Sequence, residues 1–301
     1  PSCPGPARAS QPRCSSCGRW APYASMPTLP VLRYARERGV RSQLNSNVTL
    51  DYSRYDAIAP FLDVMHISFN YTEAADFHRV GFARSGRDVS GSAASRMYER
   101  MIDNARKLSE GGLFVSAESM INFRTFEKMP DIHRLIVEMG CSRHEVHPMY
   151  PSSFAAGLPM LTKEQMRVTV ERLLDVRDPN VWMLFGTLPF FACSEDPEER
   201  RLVARLREET GVTVRNDPDG RNRVNVNLFS GDVYVTDFAS IPSFGNIRSE
   251  RLYAGFERWQ QHPLQRSVNC HCPEASCCGP NLLVADMYDK DADFTARKAI
   301  L

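Results

Sequence analysis

Segments with a helical pattern and segments with a strand pattern alternate four times in the first half of this chain. We predict helices at 28–37, 51–61, 93–108 and 129–139, and strands at 40–47, 63–70, 113–121 and 143–148. Alternation of this kind is typical of parallel strands whose connecting helices pack outside the sheet. We therefore expect an α/β protein.

Polar side chains recur on one face of each strand, near its carboxyl end. They are Asn45 and Asn47; His66, Ser68 and Asn70; Ser116 and Glu118; and Glu145 and His147. In a flat parallel sheet covered on both sides, the strands would be apolar on both faces. A partial (β/α) barrel explains the pattern better, because its lumen opens at the carboxyl ends of the strands. The alternative is that these are ordinary strand-end residues bonded to loops.

The second half of the chain begins with the same alternation and then becomes rich in short strands. We predict helices at 162–176 and 197–209, a strand at 181–185, and β-rich segments at 212–214, 223–229 and 232–238. We expect the chain to divide into an irregular segment at 1–27, a partial barrel at 28–160, and a small β-rich C-terminal domain with a cysteine cluster at 161–301.

Four of the nine cysteines lie within nine residues, close to the C-terminus. The odd count and uneven spacing argue against a secreted disulfide framework. Thiolates this dense in a reduced chain usually bind a metal, and we predict Cys270, Cys272 and Cys277 as ligands. Cys278 is either a fourth ligand or a bystander. The alternative is a cluster of reduced cysteines without metal.

Positive and negative charges nearly cancel in this chain. The chain has 37 Lys and Arg against 36 Asp and Glu, so the composition indicates neither a nucleic-acid partner nor a membrane-surface partner. No apolar run approaches the roughly 20 residues that span a bilayer, and no signal-peptide pattern is present. Because the cysteines indicate a reducing compartment, we predict a cytoplasmic protein.

Taken together, several segments resemble the YfkAB group of radical S-adenosylmethionine proteins, which is named for a C-x-C-x4-C motif. They are residues 45–47, 144–151, 182–189, 215–220 and 270–281. The tail also resembles auxiliary-cluster domains of radical enzymes, because Gly-x-Val-Tyr at 231–234 and Gly-Asn-Ile at 245–247 precede the cysteines. Such domains often have a further cysteine after Gly-x-Val-Tyr. The chain has Asp237 in this region, so the fourth ligand could be Asp237, Cys278 or substrate, or the fourth position could stay open.

The resemblance implies an iron–sulfur enzyme of unknown substrate with a partial radical S-adenosylmethionine barrel. It implies a [4Fe–4S] cluster that reduces S-adenosylmethionine by one electron, so that a hydrogen atom is then taken from substrate. Asn45 and Asn47 would contact the amino-acid or ribose groups of the cofactor, and Ser68 and Asn70 would contact its ribose.

The same resemblance implies the partners of the reaction. Glu118, Glu145 and His147 would line the substrate side of the barrel, with ordinary packing in the lumen as the alternative. The substrate would be a small molecule or a peptide, and the reductant would be a flavodoxin or a ferredoxin.

The front of the chain departs from the family pattern. Radical S-adenosylmethionine enzymes hold the catalytic cluster with C-x3-C-x2-C. Cys14 and Cys17 could be only the last two of these, because Ser10 stands where the first would lie. A Gly-Gly-Glu-Pro motif is also absent, so we do not assign Cys3, Cys14 or Cys17 as ligands. We expect a truncated or frameshifted copy that makes no 5′-deoxyadenosine.

Two other functions remain open. The cysteines could bind zinc in a non-catalytic metal protein. His144, Glu145 and His147 could serve a metal hydrolase, but they lack the H-E-x-x-H spacing. His144 should also face away from the other two residues, so we rank the hydrolase last.

Overall fold

Six parallel strands form the main sheet. The computed structural model describes residues 28–82, 88–150, 157–215, 224–227, 229–235, 241–267, 282–294 and 296. The strands are β1 (Gln43–Ser46), β2 (Val64–Ser68), β3 (Phe114–Ile121), β4 (Arg143–Pro148), β5 (Trp182–Gly186) and β6 (Val212–Arg215). They follow one another in sheet order, and every neighbouring pair is parallel. The predicted α/β fold with a barrel-type parallel sheet is confirmed.

Helices precede and connect these strands. They are α1 (Thr28–Glu37), α2 (Tyr52–Asp56), α3 (Ala74–Gly81), α4 (Gly91–Glu110), α5 (Met129–Glu138), α6 (Lys163–Val176) and α7 (Pro197–Glu208). The capping box of α6 is present, because Thr162 Oγ1 accepts from Gln165 N and Gln165 Oε1 accepts from Thr162 N. In the part of the chain that the structure describes, no helix combines the length and apolar character of a membrane span.

A second, antiparallel sheet follows. It consists of β7 (Asn225–Val226), β8 (Asp232–Tyr234) and β9 (Gly245–Asn246). Trp259 of the next helix, α8 (Leu252–Gln260), is fully buried and packs edge-on against Phe244. The short helices α9 (Pro263–Ser267) and α10 (Leu282–Tyr288) flank the cysteine segment. The segments 1–27, 216–223, 236–240 and 268–281 lie outside the described residues.

The first β-rich segment that we predicted for the small domain, 212–214, belongs to the main sheet instead. Val212–Val214 is not part of the antiparallel sheet, because β6 pairs with β5 in parallel register, for example Phe185 with Val214. The main sheet therefore includes residues 212–215. Two strands of the antiparallel sheet, at 225–226 and 232–234, lie within the later predicted segments, whereas its third strand, β9, was not predicted.

The helices differ from the prediction at two places. The helix predicted at 51–61 ends at Asp56, and a short 3-10 turn at Ala59–Phe61 follows, because Pro60 lacks the N–H that an α-helix needs there. Helix α3 was not predicted, since its eight residues lie in a glycine-rich stretch. It forms because Phe77 is buried against the rings of Tyr71, Tyr98 and Phe82.

The main sheet has an apolar face and a polar face. The apolar face lies under the helices and contributes Met65, Ile67, Val115, Ala117, Val146, Met183 and Phe185, all fully buried. Burial of a large apolar side chain stabilises the fold by roughly 1.5–3 kcal/mol. Because the side chains of a strand alternate in direction, the intervening residues lie on the other face.

Two histidines are buried on the apolar side and share one hydrogen-bond chain. Asp178 N donates to His133 Nε2 at 3.1 Å, so the proton of His133 is on Nδ1 and points at His144 Nδ1, 3.0 Å away. His144 then donates from Nε2 to Ser119 Oγ, and Ser119 donates to Phe69 O. Both rings are neutral in this chain. Burial lowers the pKa of His133 to about 4 and holds the pKa of His144 well below its usual value.

We predict that acid weakens the fold through this pair. Unfolding lets both rings bind a proton below pH 6.5, whereas the folded rings stay neutral, so stability is complete above pH 6.5 and falls as the pH drops toward 4. The pKa shift of His133 alone lowers the free energy of unfolding by about 2 kcal/mol at pH 5. Urea unfolding at pH 7.5, 6.5, 6 and 5 measures this loss.

His133→Gln should flatten the pH dependence between 6.5 and 5, although its stability at pH 7.5 is lower. His262→Gln serves as the control, because His262 lies just after α8, outside the main sheet and its helices. A wild-type unfolding midpoint that does not change between pH 6.5 and 5 would contradict the prediction.

Candidate functional site

The polar face brings the predicted strand-end residues into adjacent rows. The register pairs Asn45 with His66, Ser68 with Glu118, and Glu118 with Glu145. Paired residues of parallel strands lie on one face, so these side chains are neighbours across the sheet. A row of polar groups therefore crosses β1 to β4 near the carboxyl ends of the strands, as the alternation predicts.

His66 joins two parts of this row. Gln43 Nε2 donates to His66 Nδ1 at 3.1 Å and to Asn45 Oδ1 at 3.0 Å. Since Nδ1 accepts, the proton lies on Nε2 and is donated to Glu118 Oε2 at 3.0 Å. This hydrogen bond from His66 holds the pKa of Glu118 below its usual value. The exposed Asn45 is thus linked through two side chains to the carboxylate of Glu118.

Glu145 is a buried carboxylate with partners on both oxygens. Oε1 accepts from His147 Nε2 at 2.9 Å and from Arg215 Nη2 at 3.0 Å, and Oε2 pairs with Arg143 Nη2 at 3.0 Å. Burial would raise the pKa of Glu145, but the hydrogen bond from His147 and the nearby positive charges outweigh it, so the pKa is about 2. Glu145 is therefore ionised at neutral pH and anchors the residues around it.

Arg143 closes the amino-terminal side of this network. Its guanidinium carbon lies 5.0 Å from the ring centroid of Trp182 and 5.7 Å from that of Phe114. Its Nε donates to Ser116 Oγ at 2.8 Å. The aromatic rings and the ion pair hold this arginine in one place, so the network opens toward the carboxyl ends of the strands.

Gly186 gives His147 the space that it occupies. A Cβ atom at position 186 would lie 2.1 Å from His147 Cε1 and 2.5 Å from His147 Nδ1. The imidazole thus lies against the backbone of β5 while it contacts Glu145. Any side chain at position 186 would displace this ring.

A cavity of about 580 Å³ opens at the carboxyl ends of β2, β3 and β4. It is lined by Asn70, Tyr71, Asp76, Arg79, Val80, Gly81, Met120, Asn122, Phe123, Arg124, Thr125, Met149 and Leu158. Its size and its apolar lining with a few polar groups are typical of a small-molecule site.

Asp76 is the buried charge of this cavity. It accepts from Thr72 Oγ1 at 2.9 Å, pairs with Lys128 Nζ at 2.5 Å and also pairs with Arg79. Burial would raise the pKa of Asp76, but the hydrogen bonds from Lys128 and Thr72 outweigh it, so the pKa lies below its usual value. This carboxylate is thus ionised and neutralised by its own neighbours.

Among the residues that the structure describes, two that are not glycine have positive φ angles, and both follow a strand at its carboxyl end. They are Val48 after β1, with φ 44°, and Thr187 after β5, with φ 56°. Asn104 of α4 donates to Val48 O at 2.7 Å and to Leu50 O at 2.8 Å. Tyr150 donates to Thr187 O at 2.7 Å. Strained backbone held by buried side chains often marks a functional edge.

The four predicted cofactor residues lie at this edge in different settings. Asn45, Asn47 and Ser68 are exposed, whereas Asn70 is half-buried and lines the cavity. Asn70 Oδ1 accepts from Met120 N at 2.7 Å, which leaves the NH₂ group for a ligand. Glu118, Glu145 and His147 lie together on the polar face. His144 lies on the apolar face, away from Glu145 and His147, so these three residues do not form one site.

The predicted metal ligands Cys270, Cys272 and Cys277 lie outside the described residues, as do Cys3, Cys14, Cys17, Cys278 and Asp237. Among the described residues, no group of three histidine, cysteine, aspartate or glutamate side chains is arranged to hold a metal ion. Burial raises the pKa of the Cys141 thiol to about 12, so this cysteine is inert at neutral pH.

Several residues of the edge were missed from the sequence. Arg143 stands two residues before Glu145, so the same alternation that grouped Glu145 with His147 could have included it. Gln43 precedes Asn45 in the same way. Asn104 gave no signal, because a polar residue within a long helix usually faces solvent.

Two sequence comparisons give relatives of the chain. The profile of the YfkB-like domain matches residues 149–299. The protein YfkA of Bacillus subtilis (strain 168) is 52% identical over 272 residues, which cover 90% of this chain and 73% of YfkA.

Solved structures share the fold at low sequence identity. SuiB of Streptococcus suis bound to S-adenosylmethionine has a TM-score of 0.54 and 13% identity, and the match covers 86% of this chain and 57% of SuiB. SuiB bound to its precursor peptide SuiA has a TM-score of 0.52 and 14% identity over 86% of this chain and 56% of that one. The chain thus spans little more than half the length of SuiB, and the likeness is one of fold.

We predict that Gly186→Ala disrupts the contact between His147 and Glu145. The new methyl group would overlap the imidazole, so the ring must turn away and leave Glu145 with one partner fewer. The free energy of unfolding should fall by about 1–3 kcal/mol. Chemical denaturation at pH 7.5 measures this fall.

The matched control is Gly157→Ala, since a Cβ there meets nothing within 4 Å. It should change stability by less than about 0.5 kcal/mol. Equal stability of the two variants would show that Gly186 is not required for the position of His147.

Proposed function

The chain belongs to the YfkB-like family and is 52% identical to YfkA of Bacillus subtilis, and on this basis we propose that it binds S-adenosylmethionine at the carboxyl edge of its main sheet. The observation that carries the proposal is the position of Asn70. This residue ends the polar row of β2 and also lines the cavity beyond it. Asn70 therefore lies where the polar row meets the cavity. A cofactor bound along the polar row would be in contact there with a substrate bound in the cavity.

The residues of the edge fit S-adenosylmethionine. Asn45, Asn47 and Ser68 are exposed and offer amide and hydroxyl groups, and Asn70 offers its NH₂ group. These groups can bind the hydroxyl, carboxylate and ammonium groups of the cofactor. We assign Asn45 and Asn47 to its amino-acid or ribose groups, and Ser68 and Asn70 to its ribose. SuiB, which shares the fold, has been solved with S-adenosylmethionine.

We propose Cys270, Cys272 and Cys277 as ligands of an iron–sulfur cluster. Their number and spacing support this assignment. The chain continues from the cysteines into α10, whose Val284 joins a buried cluster with Tyr150 and Phe191. Tyr150 follows β4 and holds the backbone after β5, so α10 is packed close to the carboxyl edge.

When bound, S-adenosylmethionine and a reduced iron–sulfur cluster would supply one-electron chemistry that takes a hydrogen atom from a substrate. A cluster held by Cys270, Cys272 and Cys277 would carry electrons or hold the substrate. The chain's own residues orient and shield the reactants. Glu118 would face the substrate with its second oxygen, while His66 holds the first. Glu145 keeps His147 in place. The cavity excludes water from an apolar group of the substrate.

The partners follow from the same proposal. The substrate is a small molecule or a peptide, and SuiB has been solved with a peptide, SuiA. A flavodoxin or a ferredoxin would supply the electron. A reducing, cytoplasmic location suits both the cluster and the free cysteines.

Titration with S-adenosylhomocysteine tests the cofactor site. We predict that Asn70→Ala and Asn45→Ala each raise its Kd about tenfold, which is the effect of losing one or two hydrogen bonds. Asn180→Ala, at the amino-terminal side of β5, should leave the Kd within twofold. Absence of calorimetric binding to the wild-type chain would contradict the proposal.

Metal analysis tests the cluster separately. We predict iron and acid-labile sulfide, with a visible absorbance band, in protein purified without oxygen. Cys270→Ala and Cys272→Ala should lose both elements, whereas Cys141→Ala should keep them. Zinc without sulfide would instead favour a non-catalytic metal protein.

A further inference from the structure

The cavity at the carboxyl edge directly continues the polar face. Met120 stands two residues after Glu118, and Met149 stands two residues after His147, so each lies on the same face as its predecessor. Both methionines line the cavity. A ligand in the cavity would thus lie next to the Glu118 side of the polar row.

Apolar and aromatic groups dominate the lining. They are Tyr71, Val80, Met120, Phe123, Met149 and Leu158. Methionine side chains adapt to ligands of different shape, and an aromatic ring offers a flat surface. The cavity is therefore suited to an apolar or aromatic group of a ligand.

Most of the charges around the cavity are already paired. Asp76 has Arg79, Lys128 and Thr72 as partners, as described above. Arg79 and Lys128 therefore direct their charges at a carboxylate of the protein itself. They would contribute little to the binding of a further anion.

Arg124 is different. Its guanidinium carbon lies 5.3 Å from the ring centroid of Phe123, and its backbone N–H donates to Asn122 Oδ1 at 2.8 Å. In the described part of the chain, no carboxylate pairs with this exposed guanidinium. An arginine whose guanidinium lies over a ring can still donate from its N–H groups to a planar anion such as a carboxylate.

We propose that the cavity binds an apolar or aromatic group that stands next to a carboxylate, and that Arg124 binds this carboxylate. The inference rests on the proposed function, because it names the substrate class of the same site. An apolar residue at the carboxyl end of a peptide and a free N-acyl amino acid share this chemistry.

The test uses N-acetyl-L-phenylalanine and its amide, N-acetyl-L-phenylalaninamide, titrated into the full chain without S-adenosylmethionine. The acid should bind about tenfold more tightly than the amide, because only the acid can form a charge-assisted pair with Arg124. In Arg124→Gln this preference should fall below twofold. The tripeptide Ala-Ala-Phe distinguishes the sources: tighter binding than the acetylated acid assigns the site to a peptide, and weaker binding assigns it to a free acid.

Arg38→Gln is the matched control, since Arg38 is also exposed and lies over an aromatic ring, 4.9 Å from the centroid of Tyr34, but does not line the cavity. It should keep the tenfold preference. Met149→Trp fills part of the cavity and should weaken the acid and the amide alike.

Three results would overturn the inference: equal binding of acid and amide, equal effects of the two arginine variants, or unchanged affinities in Met149→Trp. Failure of the wild-type chain to bind either probe would overturn it as well. S-Adenosylhomocysteine is titrated into the same variants. If Arg124→Gln weakens that ligand and not the acid, Arg124 belongs to the cofactor site, and the inference fails while the proposed function stands.

Discussion

The buried carboxylate of Glu145 is the group on which the polar face depends. A carboxylate can be buried as an anion only if its charge is compensated. Here the compensation comes from Arg143 and His147 on its own strand and from Arg215 on β6, two strands away. The charge is therefore satisfied only when β4, β5 and β6 are assembled in register. Loss of one partner from such a pair typically destabilises a protein by about 3–5 kcal/mol, so the sheet and the polar network form together.

Successive side chains of β4 point to opposite faces of the sheet, so this strand contributes to both the polar and the apolar face. Glu145 and His147 lie in the polar network, while His144, which precedes Glu145, is buried among the helices as a neutral ring. Histidine thus has two different roles within four residues of sequence. His144 has its donor and acceptor positions matched by Ser119 and His133, which excludes a second proton. His147 contacts an ionised carboxylate and lies at the open side of the sheet.

Much of the fold could be predicted, because alternation of period 2 and period 3.6 is a local property of the sequence. The parallel strands, the long helices and the capping box of Thr162 were found in this way. The alternation also grouped Glu118, Glu145 and His147. Other features depend on residues distant in sequence. Helix α3 forms because Phe77 meets a ring from α4, β6 joins a sheet whose other strands precede it, and Asn104 binds a loop 56 positions earlier. No local pattern carries that information.

Asn104 links a helix to a strained loop by a single side chain. Its amide NH₂ group donates to the backbone carbonyls of Val48 and Leu50. Val48 itself has a positive φ angle, a backbone conformation that valine rarely adopts. Displacement of the twenty-residue helix α4 along its axis would therefore be transmitted to the loop after β1 and not absorbed by it. A molecule that binds the outer surface of α4 and shifts this helix would therefore also shift the loop after β1, and with it Asn45 and Asn47.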